Sequence, residues 1–338
     1  MPLAIILETT TLCVIGSAAF IGNVSLFIIV YKDKDLQTVT NLYILNLAAA
    51  DIMVSILSIP FTVVTIITED WVFGDSACVA LGFFTILSFI ASVMSLGMIA
   101  INRYFYIVRW NTYSKIFSRR KALLYAAAVW IVALSLASPP LLGWAEYRFI
   151  PGKSYCFVYW PSDVYYMYFM ITVCFFGPLS IMTFSYCNVL RFTKNLKRRI
   201  AATRNNFVRP APTIPNKVDL QTVERSQTGE RREADSNSKS TSRSPGFQVT
   251  PEETRITNTF IFVVTLFVIC WAPFAITMFF DVYYPKPLPR ALDMASLILG
   301  YLNSMCNPVL YGLRNSDIRQ GVLNLYSRFL PERFRAKT

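Results

Sequence analysis

SACVALGFFTILSFIASVMSLGMIAIN, residues 76–102, runs for 27 positions without a charged side chain and ends against Arg103. A helix rises about 1.5 Å per residue and needs about 20 apolar residues to cross the hydrocarbon core of a bilayer, so this stretch is long enough to span. Charge-free windows that also reach this length recur on both sides, at 9–31, 122–145, 164–190, 256–280 and 294–313. A further stretch, 36–67, is broken only by Asp51. The expectation is an all-α membrane protein, a bundle of seven transmembrane helices forming one domain over residues 1–338, with the chain ends on opposite sides of the membrane. Composition agrees: of 338 residues 54% are hydrophobic and 15% charged, outside the usual range of soluble proteins.

Orientation follows from lysine and arginine. Of the 32 basic residues, all but Arg148, Lys153, Lys286 and Arg290 fall on one side of this topology. That side is read as cytoplasmic and the N-terminus as extracellular, as in a multi-pass plasma-membrane protein. The net charge of +12 then reflects topology and contact with anionic membrane lipids, not a nucleic-acid partner. The first window is too long for the core of a signal peptide and runs straight into a basic loop, so it reads as a span.

There is no histidine, which removes imidazole catalysis and the commonest metal ligand. Five cysteines, Cys13, Cys174, Cys187, Cys270 and Cys306, lie in apolar windows and read as small buried hydrophobes. Cys78 and Cys156 lie at or beyond the outer helix ends, in the oxidising compartment, and are expected to form a disulfide.

Residues 195–251 carry a long polar run, SQTGERREADSNSKSTSRSPG among it, that is expected to be a disordered cytoplasmic loop. After the last span, Ile318, Val322, Leu323, Leu325, Tyr326 and Phe329 share one face at helical spacing, which predicts an amphipathic membrane-surface helix over 315–330.

Polar groups inside a span are costly and mark function by default. Here they are Asn23, Asp51, Ser92, Ser95, Asn303, Ser304 and Asn307. Asp51, the one acid in any span, reads equally as a cation ligand and as a protonated bridge between helices. A pump or transporter needs a relay of such carboxylates, and no internal repeat is evident. Pro60, Pro139, Pro140, Pro178, Pro273 and Pro308 interrupt five spans as hinges or static kinks. Arg103, at the inner end of the third span, reads either as a membrane-boundary anchor or as partner of Glu253 at the start of the sixth.

In order along the chain stand Gly22 with Asn23, LAAAD ending at Asp51, Cys78, Asn102-Arg103-Tyr104, Trp130, Pro178 with Tyr186, CWAP at 270–273 and NPVLY at 307–311. This series resembles the rhodopsin-like G-protein-coupled receptors across all seven spans. The resemblance implies a receptor, not an enzyme, with a small-molecule ligand outside and a heterotrimeric G protein inside; arrestin and a receptor kinase are further implied partners. It implies a switch running through Trp271, Phe267 and Pro273 to Asn102, Arg103, Tyr104 and Glu253, with Tyr186, Asn307, Pro308 and Tyr311 closing it. It matches Asp51, Ser92, Asn303 and Asn307 to a sodium site, so Na+ is the one cofactor expected.

Within that family the chain is similar to the opsin and melatonin-receptor branch, through WVFG, GWAEYRFIPGKSYCF and ICWAPF on one side and INRYFYI and YGLRN on the other. The opsin lysine would fall at Tyr301, so no covalent retinal is expected, and Leu81 replaces the acid that commonly serves as counterion in vertebrate visual opsins. Amine receptors carry an aspartate where this chain has Thr85. The expected pocket, Phe84, Thr85, Ser88, Phe89, Phe175, Trp271, Phe274, Met278, Leu297 and Tyr301, calls for a small, neutral, largely apolar ligand. The alternatives are an opsin-like receptor that is constitutively active or holds a retinoid without a covalent bond.

Overall fold

The prolines dictate much of the helix geometry. In this computed structural model, which describes residues 3–207, 251–284 and 286–327, a widened π turn stands just before Pro60 and another just before Pro178. Proline has no N–H, and its ring crowds the carbonyl four residues back. One extra residue in the preceding turn relieves both problems, and π turns recur where a helix is reshaped for function.

The spans are α1 (Leu3–Lys32), α2 (Val39–Thr68), α3 (Asp75–Ile107), α4 (Arg119–Ala137), α5, α6 (Pro251–Tyr283) and α7 (Arg290–Arg314). Helix α5 runs on from Val164–Met170 through the π turn Ile171–Phe176 into Gly177–Phe207. Side-chain caps start several helices: Thr38 accepts from the Asn41 N–H, Ser118 from Lys121 and Asp163 from Tyr166. Among the described residues, six spans are long and apolar enough to cross a membrane on composition alone. The seventh, α7, is long enough but more polar, because Asn303, Ser304 and Asn307 face inward. Leu124, Ile131, Phe184, Ile269, Ile276 and Leu313 point outward, as residues of a bilayer-facing surface do.

Helix α3 is the central post, packed by α2, α4 and α5 and covered by a two-stranded hairpin. In that hairpin β1 (Tyr147–Ile150) pairs antiparallel with β2 (Tyr155–Val158). The expected disulfide, Cys78–Cys156, joins β2 to the first turn of α3 with 5.3 Å between Cα atoms. Gly82 lets the hairpin sit this close, since a Cβ there would lie 2.8 Å from the Tyr147 ring.

Helix α1 closes on α7 by a similar device. A Cβ on Gly22 would lie 2.7 Å from Pro308, so glycine permits the approach. Next to it, the buried Asn23 Nδ2 donates to the Ser304 carbonyl at 3.1 Å. That carbonyl lies four residues before Pro308 and has lost its helical donor, so Asn23 replaces the missing bond.

Three expectations need adjustment. Helix α5 continues to Phe207, so the loop expected from residue 195 begins no earlier than 208; residues 208–250 lie outside the described residues. The surface helix, α8, runs Ser316–Tyr326 with Asn315 as its cap, and residues 328–330 lie outside the described residues. Cys13 and Cys187 are exposed on the bundle exterior, not buried, while Cys270 is buried as expected. Helical phase decides this: both sit on faces turned away from the neighbouring helices.

Candidate functional site

Between α3, α5 and α6, under the hairpin, lies a cavity of about 90 Å³. Phe89, Ile90, Cys174, Phe175, Phe267, Trp271, Phe274 and Met278 line it, together with Phe157 and Trp160 from the hairpin connection. Its centre is an aromatic lattice. Phe89 meets Trp271 edge to face at 4.4 Å, and Trp271 meets Phe274 at 5.8 Å. Phe157 meets Phe274 edge to face at 5.7 Å. Gly300 on α7 faces the indole, and a Cβ there would make an ordinary contact with the Trp271 ring at 3.5 Å.

Of the ten expected ligand-binding residues, Phe89, Phe175, Trp271, Phe274 and Met278 come together around this cavity. Thr85 and Tyr301 belong instead to a separate void of about 10 Å³ beside Ser58 and Thr62. There Ser58 and Thr85 share a hydrogen bond of 2.7 Å, and Thr62 and Tyr301 one of 3.4 Å. Such a void is about the size of one water molecule. Ser88 bonds back to the Phe84 carbonyl at 2.7 Å, and Leu297 is buried but does not line the cavity. Phe84 is 38% exposed on the outside of α3, packed on Phe83, because its helical phase differs from that of Phe89. It is not a pocket residue.

Phe157 and Trp160 were not among the expected pocket residues. The signal was present in Cys156, since a strand tied to the top of α3 carries its next residue over the pocket. The hairpin is clamped further: Lys153 is paired with Asp281 on α6 and lies 3.3 Å from Asp293 on α7. Arg290 donates to Ser154 at 2.6 Å and pairs with Glu8 of α1 at 2.9 Å. Burial, helped by the Asp281 and Asp293 carboxylates, holds the Tyr155 phenol well above its usual range, so this wall of the lid stays neutral.

Deeper in the bundle, Asp51 is fully buried. Its Oδ2 accepts from Asn307 Nδ2 at 2.8 Å and its Oδ1 from Ser92 at 3.5 Å. The Ser304 hydroxyl also lies near the carboxylate, a neighbour beyond the four expected residues. The Asn307 Oδ1 and Asn303 Nδ2 are buried without a hydrogen-bond partner among the described residues. A carboxylate, two hydroxyls and an unpartnered amide oxygen are the donor set that a small hard cation takes. Nearby, Trp130 Nε1 donates to Asn46, and Asn46 donates to Ser95, each at 2.8 Å, joining α4, α2 and α3.

At the opposite end of the bundle Arg103 is buried, with its guanidinium 5.2 Å from the Phe260 ring centre on α6 and 5.7 Å from Tyr106. The Glu253 side chain lies outside the described residues. Asn102 accepts from Thr40 at 2.9 Å and donates to Tyr113 at 3.2 Å, tying α3 to α2 and to the short linker helix Trp110–Ile116. Tyr104 faces outward beside Phe105 and Phe184. Tyr186 and Tyr311 are buried, with Tyr311 against Phe260 at 5.9 Å and its hydroxyl without a hydrogen-bond partner among the described residues. Phe267 spans the middle, 6.3 Å from Trp271 and 6.1 Å from Phe175. The inward face of α6 thus runs from the cavity through Trp271 and Phe267, then the buried Val263, to Phe260 and Arg103.

The family model of the 7 transmembrane receptor (rhodopsin family) matches residues 22–311. The human alpha-1D adrenergic receptor is 28% identical over 316 residues, which is 91% of this chain and 55% of that receptor. G-protein coupled receptor 161 of Xenopus tropicalis is 26% identical over 322 residues, 94% of this chain and 60% of that protein. The chain therefore spans somewhat more than half the length of these relatives. Among solved structures, squid rhodopsin superposes with a TM-score of 0.73 at 22% identity, covering 96% of this chain and 87% of the other.

Proposed function

The chain belongs to the rhodopsin family of seven-transmembrane receptors, and on that premise we propose that it turns binding of a small, neutral, largely apolar ligand into activation of a heterotrimeric G protein. In this reading it sits in the plasma membrane with its N-terminus outside, and arrestin and a receptor kinase act on its cytoplasmic side. The observation that carries the proposal is the inward face of α6, where Phe274, Trp271 and Phe267 follow one another and the buried Val263 leads on to Phe260, with an apolar cavity at one end and Arg103 at the other.

A ligand that displaces the Trp271 indole tilts α6 about Pro273, where the helix lacks a backbone bond. Phe260 then leaves Arg103, and Tyr186 and Tyr311 fill the space on the side where the G protein docks. Asp51, Ser92, Ser304 and Asn307 would hold Na+, whose charge stabilises the resting arrangement of α2, α3 and α7 around an otherwise unbalanced carboxylate. In this chain Thr85 and Tyr301 offer neither an acid for an amine nor an amine for retinal. We therefore place the chain beside the opsin and melatonin-receptor branch as a receptor without covalent chromophore.

A second reading rests on the size of the cavity. Ligand sites usually enclose about 300–1,000 Å³. The 90 Å³ here, roofed by Phe157 and Trp160, also suits a receptor that signals without ligand, or one that admits a retinoid only when the hairpin lifts.

Nucleotide exchange on a panel of purified G proteins decides among these. The reconstituted chain is assayed alone and with retinoids, indoles and neutral lipids. A rise with one of these compounds supports the first reading, and high exchange that none of them alters supports the second. Saturable stimulation by a charged amine or a large peptide alone overturns the apolar-ligand proposal.

A further inference from the structure

Where α1 runs out at Lys32, a crevice of about 390 Å³ opens between the end of that helix, the loop that follows and α8. Ile28, Ile29 and Leu325 form its apolar floor, and Lys32, Lys34 and Asn324 stand at its rim. The packing that creates it is specific. A Cβ on Gly321 would lie 2.3 Å from the Ile29 side chain, so glycine sets how closely α8 approaches α1. Four residues further on, the crevice opens beside Leu325, and it is closed off by a 2.6 Å hydrogen bond between Tyr326 and Ser25. Ile29, Val30 and Leu36 pack with Val322 and Leu325 behind it, so the walls are anchored on both sides.

We propose that this crevice binds one anionic glycerophospholipid of the surrounding bilayer, its phosphate between Lys32 and Lys34 and the top of one acyl chain along Ile28 and Leu325. Charge and position argue for that occupant. Both lysines are exposed and form no ion pair among the described residues. The rim also holds Asp33, whose Oδ1 accepts the Asp35 N–H at 2.9 Å and is thereby held to the loop backbone. Among the lining residues two lysines stand against one aspartate, Asp35 lying outside the crevice, and the single positive charge this leaves matches a phosphodiester headgroup better than a polyphosphorylated one. The amphipathic α8 fixes the level: its apolar face must lie at the boundary between headgroups and chains, and the crevice opens at the edge of that face, beside Leu325. A soluble anion would find the lysines but leave the apolar floor exposed.

The test is native mass spectrometry of the full chain in detergent with equal amounts of phosphatidylglycerol and phosphatidylcholine. One phosphatidylglycerol per chain should be retained in preference. Lys32→Gln with Lys34→Gln should reduce that retention roughly 30-fold, at about fivefold per lysine near a membrane surface. Lys115→Gln with Lys121→Gln removes equal charge from the same end and should leave it unchanged. Leu325→Trp fills the floor without altering charge and should also abolish retention, so the idea stays testable if the first double variant fails to fold. Equal loss in the two double lysine variants would reduce the effect to diffuse attraction and overturn the site. Displacement of the lipid by an equal concentration of inorganic phosphate would overturn the acyl seat.

Discussion

The two ends of this bundle are held by different chemistry. At the disulfide end, a covalent bond from β2 to α3, the pairing of Lys153 with Asp281 and Asp293, and the Arg290 contacts to Glu8 and Ser154 tie the hairpin to α1, α3, α6 and α7. At the Arg103 end α3 meets α6 through aromatic packing, the guanidinium lying 5.2 Å from the Phe260 ring centre, beside the Tyr311 hydroxyl that has no hydrogen-bond partner among the described residues. The contrast is one of depth of energy well. A covalent bond and mutually reinforcing ion pairs favour one arrangement, whereas aromatic packing beside an unsatisfied hydroxyl leaves a second arrangement within a few kcal/mol. A receptor that admits its ligand at one end and moves at the other needs that asymmetry.

The largest effect should come from cutting the covalent tie. Cys78→Ala is expected to lower stability by about 2–5 kcal/mol, the usual loss for a native disulfide. Thermal unfolding in detergent measures it, and an unchanged melting point would mean the ion pairs alone hold the lid. Next is Lys153→Met, which strands two carboxylates in a largely buried setting, at a cost of about 3 kcal/mol. Adding Asp281→Asn and Asp293→Asn to that variant should recover much of the loss, because the charges left facing one another are removed. If the triple variant melts no higher than the single one, the pairing contributes through packing instead.

Between the ends, Asn23→Ala leaves the Ser304 carbonyl buried without any donor, since Pro308 supplies none. The expected cost is about 1–3 kcal/mol. Asn23→Leu serves as the comparison, because it keeps about the same size but removes the donating amide. A variant Asn23→Leu as stable as the parent would show that another donor reaches the carbonyl.

The helices were legible because a bilayer forbids charge over about 20 residues, so their spacing alone outlines seven spans. Cys78 and Cys156 could be paired because they lie at or beyond the outer helix ends, in the oxidising compartment. The disulfide then implied the lid, yet Phe157 and Trp160 went unread as pocket residues, since a loop has no periodicity to say which side chains turn inward. Helical phase misled at Phe84, because aromatic residues are equally at home facing lipid and facing a pocket. The π turns before Pro60 and Pro178 shift phase by one residue within their helices, something no fixed 3.6-residue period captures. Lys153, Asp281 and Asp293 lie far apart in the chain, and only the fold brings their charges together.

The Arg103 end supplies the smallest expected change and the most direct reading of the asymmetry. Phe260→Ala removes the ring from beside the guanidinium, a contact of about 1 kcal/mol in a partly desolvated setting. If that contact favours the closed arrangement of α3 and α6, its loss shifts the equilibrium about fivefold toward the open one, and ligand-free nucleotide exchange rises by a similar factor while enough closed receptor remains to be shifted. Glu253→Ala should raise it as well, by removing the acid at the start of α6. Asn102→Ala should act less than either, because its bonds run to Thr40 and Tyr113 and so join α3 to α2 and the linker helix, not to α6. Equal basal exchange in all three variants would mean that the Arg103 end is held as tightly as the lid, and the comparison between the two ends would lose its functional meaning.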